Sequence, residues 1–190
     1  EKITGVKKSG GYWVCALKLP GDTMYAYEVT SSGVNTTPVK SNTGITLTTG
    51  NFYGCMKANT QGTQMAAVHQ GILSNAHLFN FNKATGQVTS TMTLNITTSN
   101  PYGVEFSPNG DLLYVQSWNL SDIKQYDLTA GNATAISASQ VTLGSTSNTG
   151  GGSLQIGPDG KLYGARFGQT VVCRVANPDV QGTGAGYTAN

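Results

Sequence analysis

Charge is scarce in this sequence. Of 190 residues, 11% are Asp, Glu, Lys or Arg, against about 25% in an average soluble domain. Eleven basic and nine acidic residues leave a formal charge of +2, and Lys7-Lys8 is the one basic pair. Nucleic acid or an anionic membrane surface would need a basic cluster, so neither is an expected partner. No apolar run approaches the roughly 18 residues that a membrane-spanning helix takes, which excludes insertion by helix. Histidine is limited to His69 and His77. The nearest further ligand type is Cys55, and no carboxylate lies between Lys40 and Asn100, so the three or four donors of a metal site are not gathered. The three cysteines, Cys15, Cys55 and Cys173, are too few and of the wrong parity for a disulfide framework. Three buried apolar thiols, or one disulfide and one free thiol, remain open. Neither a Gly-x-Ser-x-Gly elbow nor a phosphate-binding glycine loop occurs. No catalytic residue and no cofactor are expected.

Turn-forming residues are abundant: glycine numbers 25, and Thr, Ser and Asn fill most of the polar remainder. Between Pro101 and Leu128, three short apolar runs (Gly103–Phe106, Leu112–Gln116, Ile123–Leu128) are separated by turns. Ser107-Pro108-Asn109-Gly110-Asp111 is a hairpin signal, because proline presets one φ and Asn-Gly tolerates the positive φ of a tight turn. The alternating β-branched and aromatic residues around it read as strands. This meander recurs at 152–176 with an offset of roughly 49 residues: Pro158-Asp159-Gly160 falls on Pro108-Asn109-Gly110, and Leu162-Tyr163 on Leu113-Tyr114. Met65–Val68 with Ala76–Phe81, and Tyr12–Leu17 with Met24–Thr30, hold the same places in two earlier copies. Internal periods of about 40 to 50 residues with four short strands each point to a β-propeller.

The expected fold is therefore all-β: one domain of about four four-stranded antiparallel blades, with repeats at approximately 1–50, 51–98, 99–148 and 149–190. Val34–Val39 is expected as the outer strand of the first repeat. Residues 41–50 read as a polar connection, and residues 144–152 as a Gly/Ser/Thr/Asn bridge. The Gly-rich tail after Asn177-Pro178-Asp179 offers no persuasive outer strand. The first and last repeats do not visibly complete one another, and Glu1-Lys2-Ile3-Thr4 reads as a strand with no signal peptide before it. A processed or truncated piece, the C-terminal part of a larger propeller, is expected, with a closed four-bladed ring as the alternative.

Chemistry would gather on one face of such a ring, where the loops entering the inner strands meet those joining the second and third strands. Phe52, Tyr53 and Tyr102 belong to the first set, and His69, Trp118, Asn119, Arg166 and Phe167 to the second. Aromatic rings beside amides can stack on a sugar or anchor a protein, and blade-to-blade packing is the competing role. Trp118 with Asn119, in a polar loop between Ser117 and Ser121, is the foremost candidate. Several acidic residues sit where turns want them (Asp22, Asp111, Asp159). Glu105, on an inner strand, is the one carboxylate placed to face the channel; a bond to a neighbouring blade's backbone is its structural alternative. An enzyme of lactonase or glycosidase type would want several carboxylates there.

Two stretches carry a family likeness: Pro101-Tyr102-Gly103-Val104-Glu105-Phe106-Ser107-Pro108-Asn109-Gly110 with Gln125-Tyr126-Asp127-Leu128, and Gly152-Ser153-Leu154-Gln155-Ile156-Gly157-Pro158-Asp159-Gly160-Lys161-Leu162-Tyr163 with the ending Asn177-Pro178-Asp179-Val180-Gln181-Gly182. They resemble the propeller regions of large Bacteroidetes surface proteins that carry a gliding-motility-associated sorting domain and leave by the type IX secretion system. Tyr25–Val34 is similar to the blade that precedes them. The resemblance implies a secreted or cell-surface location and a non-catalytic role in adhesion or display, with a protein, a glycan or further propeller blades as partners. It supplies no catalytic motif. A propeller enzyme or carbohydrate-binding module completed by blades outside this chain is the alternative. O-glycosylation of Asp-Ser/Thr-hydrophobic triplets in that phylum would fall on Asp22-Thr23-Met24. The Asn-x-Ser/Thr triplets at Asn35, Asn95, Asn119 and Asn132 are no more than a Thr-rich chain produces by chance.

Overall fold

The computed structural model describes residues 2–51, 53–71, 75–120, 122–144 and 150–189. Phe52 and Ser121, singled out above, and most of the Gly/Ser/Thr/Asn bridge (145–149) lie outside them.

Four antiparallel sheets follow one another along the chain as the blades of a β-propeller. The first contains β1 (Ile3–Lys8), β2 (Gly11–Leu17), β3 (Gly21–Thr30), a two-residue β4 (Gly33–Val34) and β5 (Val39–Leu47). The second contains β6 (Met56–Ala58), β7 (Gln64–Val68), β8 (Asn75–Asn82) and β9 (Gln87–Asn95). The third contains β10 (Pro101–Phe106), β11 (Leu112–Ser117), β12 (Ile123–Asp127), a short helix α1 (Ala133–Ala138) and β13 (Val141–Gly144). The fourth contains β14 (Gly151–Ile156), β15 (Leu162–Arg166), β16 (Cys173–Val175) and β17 (Tyr187–Ala189). Each blade is a meander, its strands paired in chain order from the inner to the outer edge, except that β5 pairs with β3 beside β4.

Two outer strands lie elsewhere than the sequence suggested. The outer strand of the first blade is β5, in the stretch read as a polar connection, and Val34 belongs instead to the exposed β3–β4 hairpin. The strand is polar because one side is solvated, while Ser41, Thr43 and Leu47 alternate inward, a period that needs no apolar residue on the wet face. The tail does supply an outer strand, since β17 pairs with β16 through Cys173↔Ala189 and Val175↔Tyr187.

Period-2 alternation gives every blade two faces, and the core forms between blades rather than within them. We term forward the face turned to the next blade, and rear the opposite one. Val6, Trp13, Cys15, Met24 and Ala26 of the first forward face meet Met56, Met65, Ala67, Phe79 and Phe81 of the second blade's rear face. Ala66, Val68, Ala76 and Leu78 meet Val104, Phe106, Leu113, Val115 and Tyr126, with Ile136 of α1 closing the rim. Leu112, Tyr114 and Ile123 meet Leu154, Leu162, Cys173 and Val175. Removing these faces from water drives the stacking of blades, at about 25 cal/mol per Å² of apolar area. Extensive strand contacts join the first to the second, the second to the third and the third to the fourth blade; among the described residues none joins the fourth to the first.

Close approach of the blades restricts some positions to glycine. A Cβ on Gly103 would lie 2.4 Å from Gly152 O, where inner strands of the third and fourth blades pass. At the hairpin, Gly110 has a φ of 86°, the left-handed backbone that the Asn-Gly pair was expected to supply. All three cysteines are free, with Cys15 and Cys173 buried and Cys55 half-buried. Thr23 of the triplet Asp22-Thr23-Met24 is half-buried within β3, and Met24 is buried in the core beside it.

Candidate functional site

Backbone bonds between neighbouring loops hold the expected ligand-facing residues. Trp118, just past β11, donates its N–H to Asn100 O at 2.9 Å, and its own carbonyl accepts the Gly151 N–H at 2.9 Å. Phe167, just past β15, donates to Gly150 O at 2.7 Å. Tyr102 O accepts the Cys55 N–H at 2.8 Å, and Tyr53 O accepts the Gln70 N–H at 3.0 Å. Six loops from three blades are thereby tied into one surface.

The rings on that surface form a run. Trp118 lies 5.4 Å from Tyr102 on one side and 5.6 Å from Phe167 on the other, tilted by 48° and 49°, within the range of favourable aromatic pairing. Two clefts flank the indole. The first, about 370 Å³, is lined by Tyr53, Gln70, Tyr102 and Trp118; the second, about 310 Å³, by Trp118, Asn119, Gly150 and Phe167. Both volumes fall at the lower end of small-molecule sites. Tyr53 is 57% and Phe167 67% exposed, unusual exposures for rings that could otherwise pack between blades. Among the described residues the lining is aromatic and amide with one glycine, and holds no ionised side chain.

Tyr53, Tyr102, Trp118, Asn119 and Phe167 are thus brought together, whereas His69 and Arg166 line neither cleft. His69 is buried beneath the surface rather than on it, its ring 4.9 Å from that of His77. Burial, reinforced by His77 and Lys2, pushes its pKa down to about 2, and burial pushes His77 to about 4. The signal for burial was its place at the end of the apolar run Met65–Val68. Lys2, also buried, donates its Nζ to Asn51 O at 2.9 Å and Tyr53 O at 3.0 Å, bracing the loop that carries Tyr53. Arg166 is half-buried, and its charge is felt by Cys173 and Tyr187 on the rear face of the fourth blade.

Two lining residues were not foreseen. Gln70 follows His69 on the loop leaving β7, and a search for rings and histidines passes over a lone amide. Gly150 lies in a glycine run, where nothing in the sequence sets it apart from its neighbours. A Cβ there would stand 2.8 Å from Trp118 O and 3.2 Å from Phe167 Cβ.

Glu105 takes the structural role. Its Oε1 accepts the Phe106 N–H at 3.1 Å, and its Oε2 lies 3.3 Å from Lys57 Nζ. Lys57 also donates to Gln155 Oε1 at 2.5 Å, so inner strands of three blades meet around one ammonium. Burial raises the Glu105 pKa, opposed by Lys57 and by the N–H groups of Phe106 and Ile156. Cys55 Sγ and Ser153 Oγ, 3.4 Å apart, close the same region from above. Among the described residues, no three His, Cys, Asp or Glu side chains gather as a metal site would require. No helix there is long and apolar enough to cross a membrane.

No family model matches the sequence, and no curated protein does. Solved propellers do match the structure. A Lactobacillus plantarum protein superposes with a TM-score of 0.60 at 15% identity, over 89% of this chain and 51% of its own. A Bacteroides uniformis protein assigned provisionally as a 6-phosphogluconolactonase gives 0.59 at 15% identity, over 90% and 49%. The PQQ domain of pyranose dehydrogenase from Coprinopsis cinerea gives 0.59 at 15% identity, over 86% and 42%. This chain spans about half the length of the structures it matches, and at such identities the likeness is one of fold.

Proposed function

We propose that this propeller is a non-catalytic recognition module of a secreted or cell-surface protein, and that the ring-lined clefts astride Trp118 hold its ligand, a neutral glycan. One observation carries the reading: four aromatic residues, Tyr53 and Phe167 exposed and Tyr102 and Trp118 half-buried between them, are fixed by backbone bonds and lined, among the described residues, without charge. Flat apolar faces suit the C–H faces of sugar rings, and Gln70 and Asn119 supply donors and acceptors for hydroxyls. A rigid scaffold that presents loops is a common way to build such a site. A location outside the cell agrees with the low charge, with the abundance of Thr, Ser and Asn, and with the resemblance to type IX-secreted, gliding-associated propellers. A catalytic reading would call on Glu105, whose carboxylate instead joins the inner strands through Lys57 and backbone N–H groups.

Binding to a panel of neutral oligosaccharides, measured by calorimetry, tests the proposal. Saturable binding that Trp118→Ala abolishes without lowering thermal stability is expected. The glycan reading fails if no oligosaccharide binds. If a protein is captured in a Trp118-dependent way, the cleft stands but its ligand is a polypeptide. Turnover of a glycan or lactone by the wild type would overturn the non-catalytic assignment.

A further inference from the structure

One device locks a blade to its successor at two places in this chain. A forward-face side chain of the second strand reaches the turn between the third and outer strands of the next blade. Trp13 Nε1 donates to Lys83 O at 2.8 Å, in the turn between β8 and β9. Tyr114 donates its hydroxyl to Pro178 O at 2.6 Å, in the turn between β16 and β17. Gln125, beside Tyr114 in register, adds a donation to Val180 O at 2.8 Å and accepts the Gly182 N–H at 2.7 Å.

The fourth blade repeats the donors without a receiver. Tyr163 pairs with Gln155 and Arg174 as Tyr114 pairs with Glu105 and Gln125. Its hydroxyl turns back 2.8 Å to Asp159 of its own hairpin. Arg174 Nε and Thr188 Oγ1, in the same row, are shielded from solvent and have no hydrogen-bond partner among the described residues.

The receiver stands at the other end of the chain. The first blade's turn at 31–37 is exposed throughout, whereas its counterparts in the second and fourth blades are docked. The rear face beside it runs in three rows, Ile3·Ala16·Tyr25, Gly5·Val14·Tyr27 and Lys7·Tyr12·Val29, apolar but for Lys7 at one corner. Ile3 is 58% and Tyr12 53% exposed. An apolar rear face against a forward face bearing a tyrosine donor is the combination that joins the third and fourth blades.

We propose that the forward face of the fourth blade binds the first blade of a second copy of this chain, head to tail, with Tyr163 and Arg174 donating to carbonyls of the 31–37 turn. A second copy is favoured because the two faces are the two halves of one interface that this chain already repeats between its own blades. The contact is heterologous, since two different surfaces meet. It rests on the fold alone and is independent of what the aromatic clefts bind.

Light scattering over a concentration range tests this, starting from a chain mass of 19.8 kDa. The wild type is expected to rise to at least twice that mass. Tyr163→Ala with Arg174→Ala, and separately Tyr12→Glu with Tyr27→Glu, are each expected to remain at one chain. An equimolar mixture of the two variants is expected to form a one-to-one pair, because one intact fourth blade then meets one intact first blade. Near-UV circular dichroism checks that each variant is folded. Tyr163→Phe with Arg174→Gln, which keeps ring and length, replaces the alanine pair if that pair is not folded. A wild type that stays at one chain overturns the proposal. So does association that survives the fourth-blade variant, or a mixture that does not pair.

Discussion

Tyr114 offers a test of how these blades are held together. Its ring is fully buried between the third and fourth blades, and its hydroxyl sits at the centre of a small network. It donates to Pro178 O at 2.6 Å and accepts from Gln125 Nε2 at 2.8 Å. Burial pushes its pKa up to about 12, so the donor keeps its proton at any ordinary pH. Tyr114→Phe preserves the ring and opens no cavity of consequence, which isolates the hydroxyl. Two hydrogen bonds at about 1 kcal/mol each are lost, and a buried carbonyl left unsatisfied adds to that, so a loss of about 2–3 kcal/mol is expected. In a chain of this length that corresponds to a fall in melting temperature of roughly 4–12 °C. Urea unfolding followed by tryptophan fluorescence provides the assay, because Trp13 reports on the interface of the first two blades and Trp118 on the loops between the third and fourth. Tyr163→Phe is the internal control. Its hydroxyl bonds an exposed carboxylate in its own hairpin, and its removal should leave the monomer's unfolding midpoint unchanged. A Tyr114→Phe loss below about 0.5 kcal/mol, the range of ordinary surface changes, would refute the lock as a source of stability, as would equal effects at the two sites.

Other perturbations follow the same logic. His69 and His77 are buried neutral with pKa values near 2 and 4, below the unfolded value of about 6.5. The folded state therefore binds fewer protons than the unfolded one. Stability should be full above pH 6.5 and fall between pH 6.5 and 4 by about 1.4 kcal/mol per pH unit per histidine; a flat profile in denaturant titrations at pH 7.5, 6 and 5 would contradict the burial. Gly103→Val should separate the third and fourth blades, since even a Cβ would meet Gly152 O at 2.4 Å; a melting temperature equal to that of the wild type would show that the strands do not pass so closely. Only Cys55 is exposed enough to react readily. Cys15, whose pKa burial pushes up to about 12, and Cys173 should resist a thiol reagent until denaturant is added, and two or more fast thiols would argue against the packing. Phe167→Ala removes an exposed ring at the end of the run. It should weaken glycan binding by about tenfold, in line with roughly 1.4 kcal/mol for one stacking face, while leaving stability within about 0.5 kcal/mol.

What was legible in the sequence is what local chemistry alone decides. The Ser-Pro-Asn-Gly-Asp turn required a positive φ that Gly110 supplies, and the runs beside it became β10, β11 and β12 with nearly the expected bounds. Inner and middle strands pack on the core with at least one face, and with both in the second and third blades, so their apolar residues mark them. Outer strands touch the core on one side only, so β5 resembles a linker and β17 a glycine-rich tail without a strand until their partners are known. The helix α1 was illegible for a related reason. Its six residues stand on an Asn132 cap and on the burial of Ile136, against a background of β-meanders. At the candidate site, rings at the starts and ends of strands could be placed by repeat register, which located Tyr53, Tyr102, Trp118 and Phe167. The direction in which His69 points could not be, because one residue's offset in a strand decides between loop surface and core.

The measurement that bears most directly on the central claim is the indole N–H region of a heteronuclear NMR spectrum, recorded while a bound oligosaccharide is titrated. The chain has two tryptophans, so two indole signals are expected. Trp13 donates to Lys83 O inside the core between the first two blades, and Trp118 stands half-exposed between the clefts. The account predicts that the Trp118 signal shifts and saturates while that of Trp13 stays in place. A ligand that binds and leaves the Trp118 signal unmoved would contradict it.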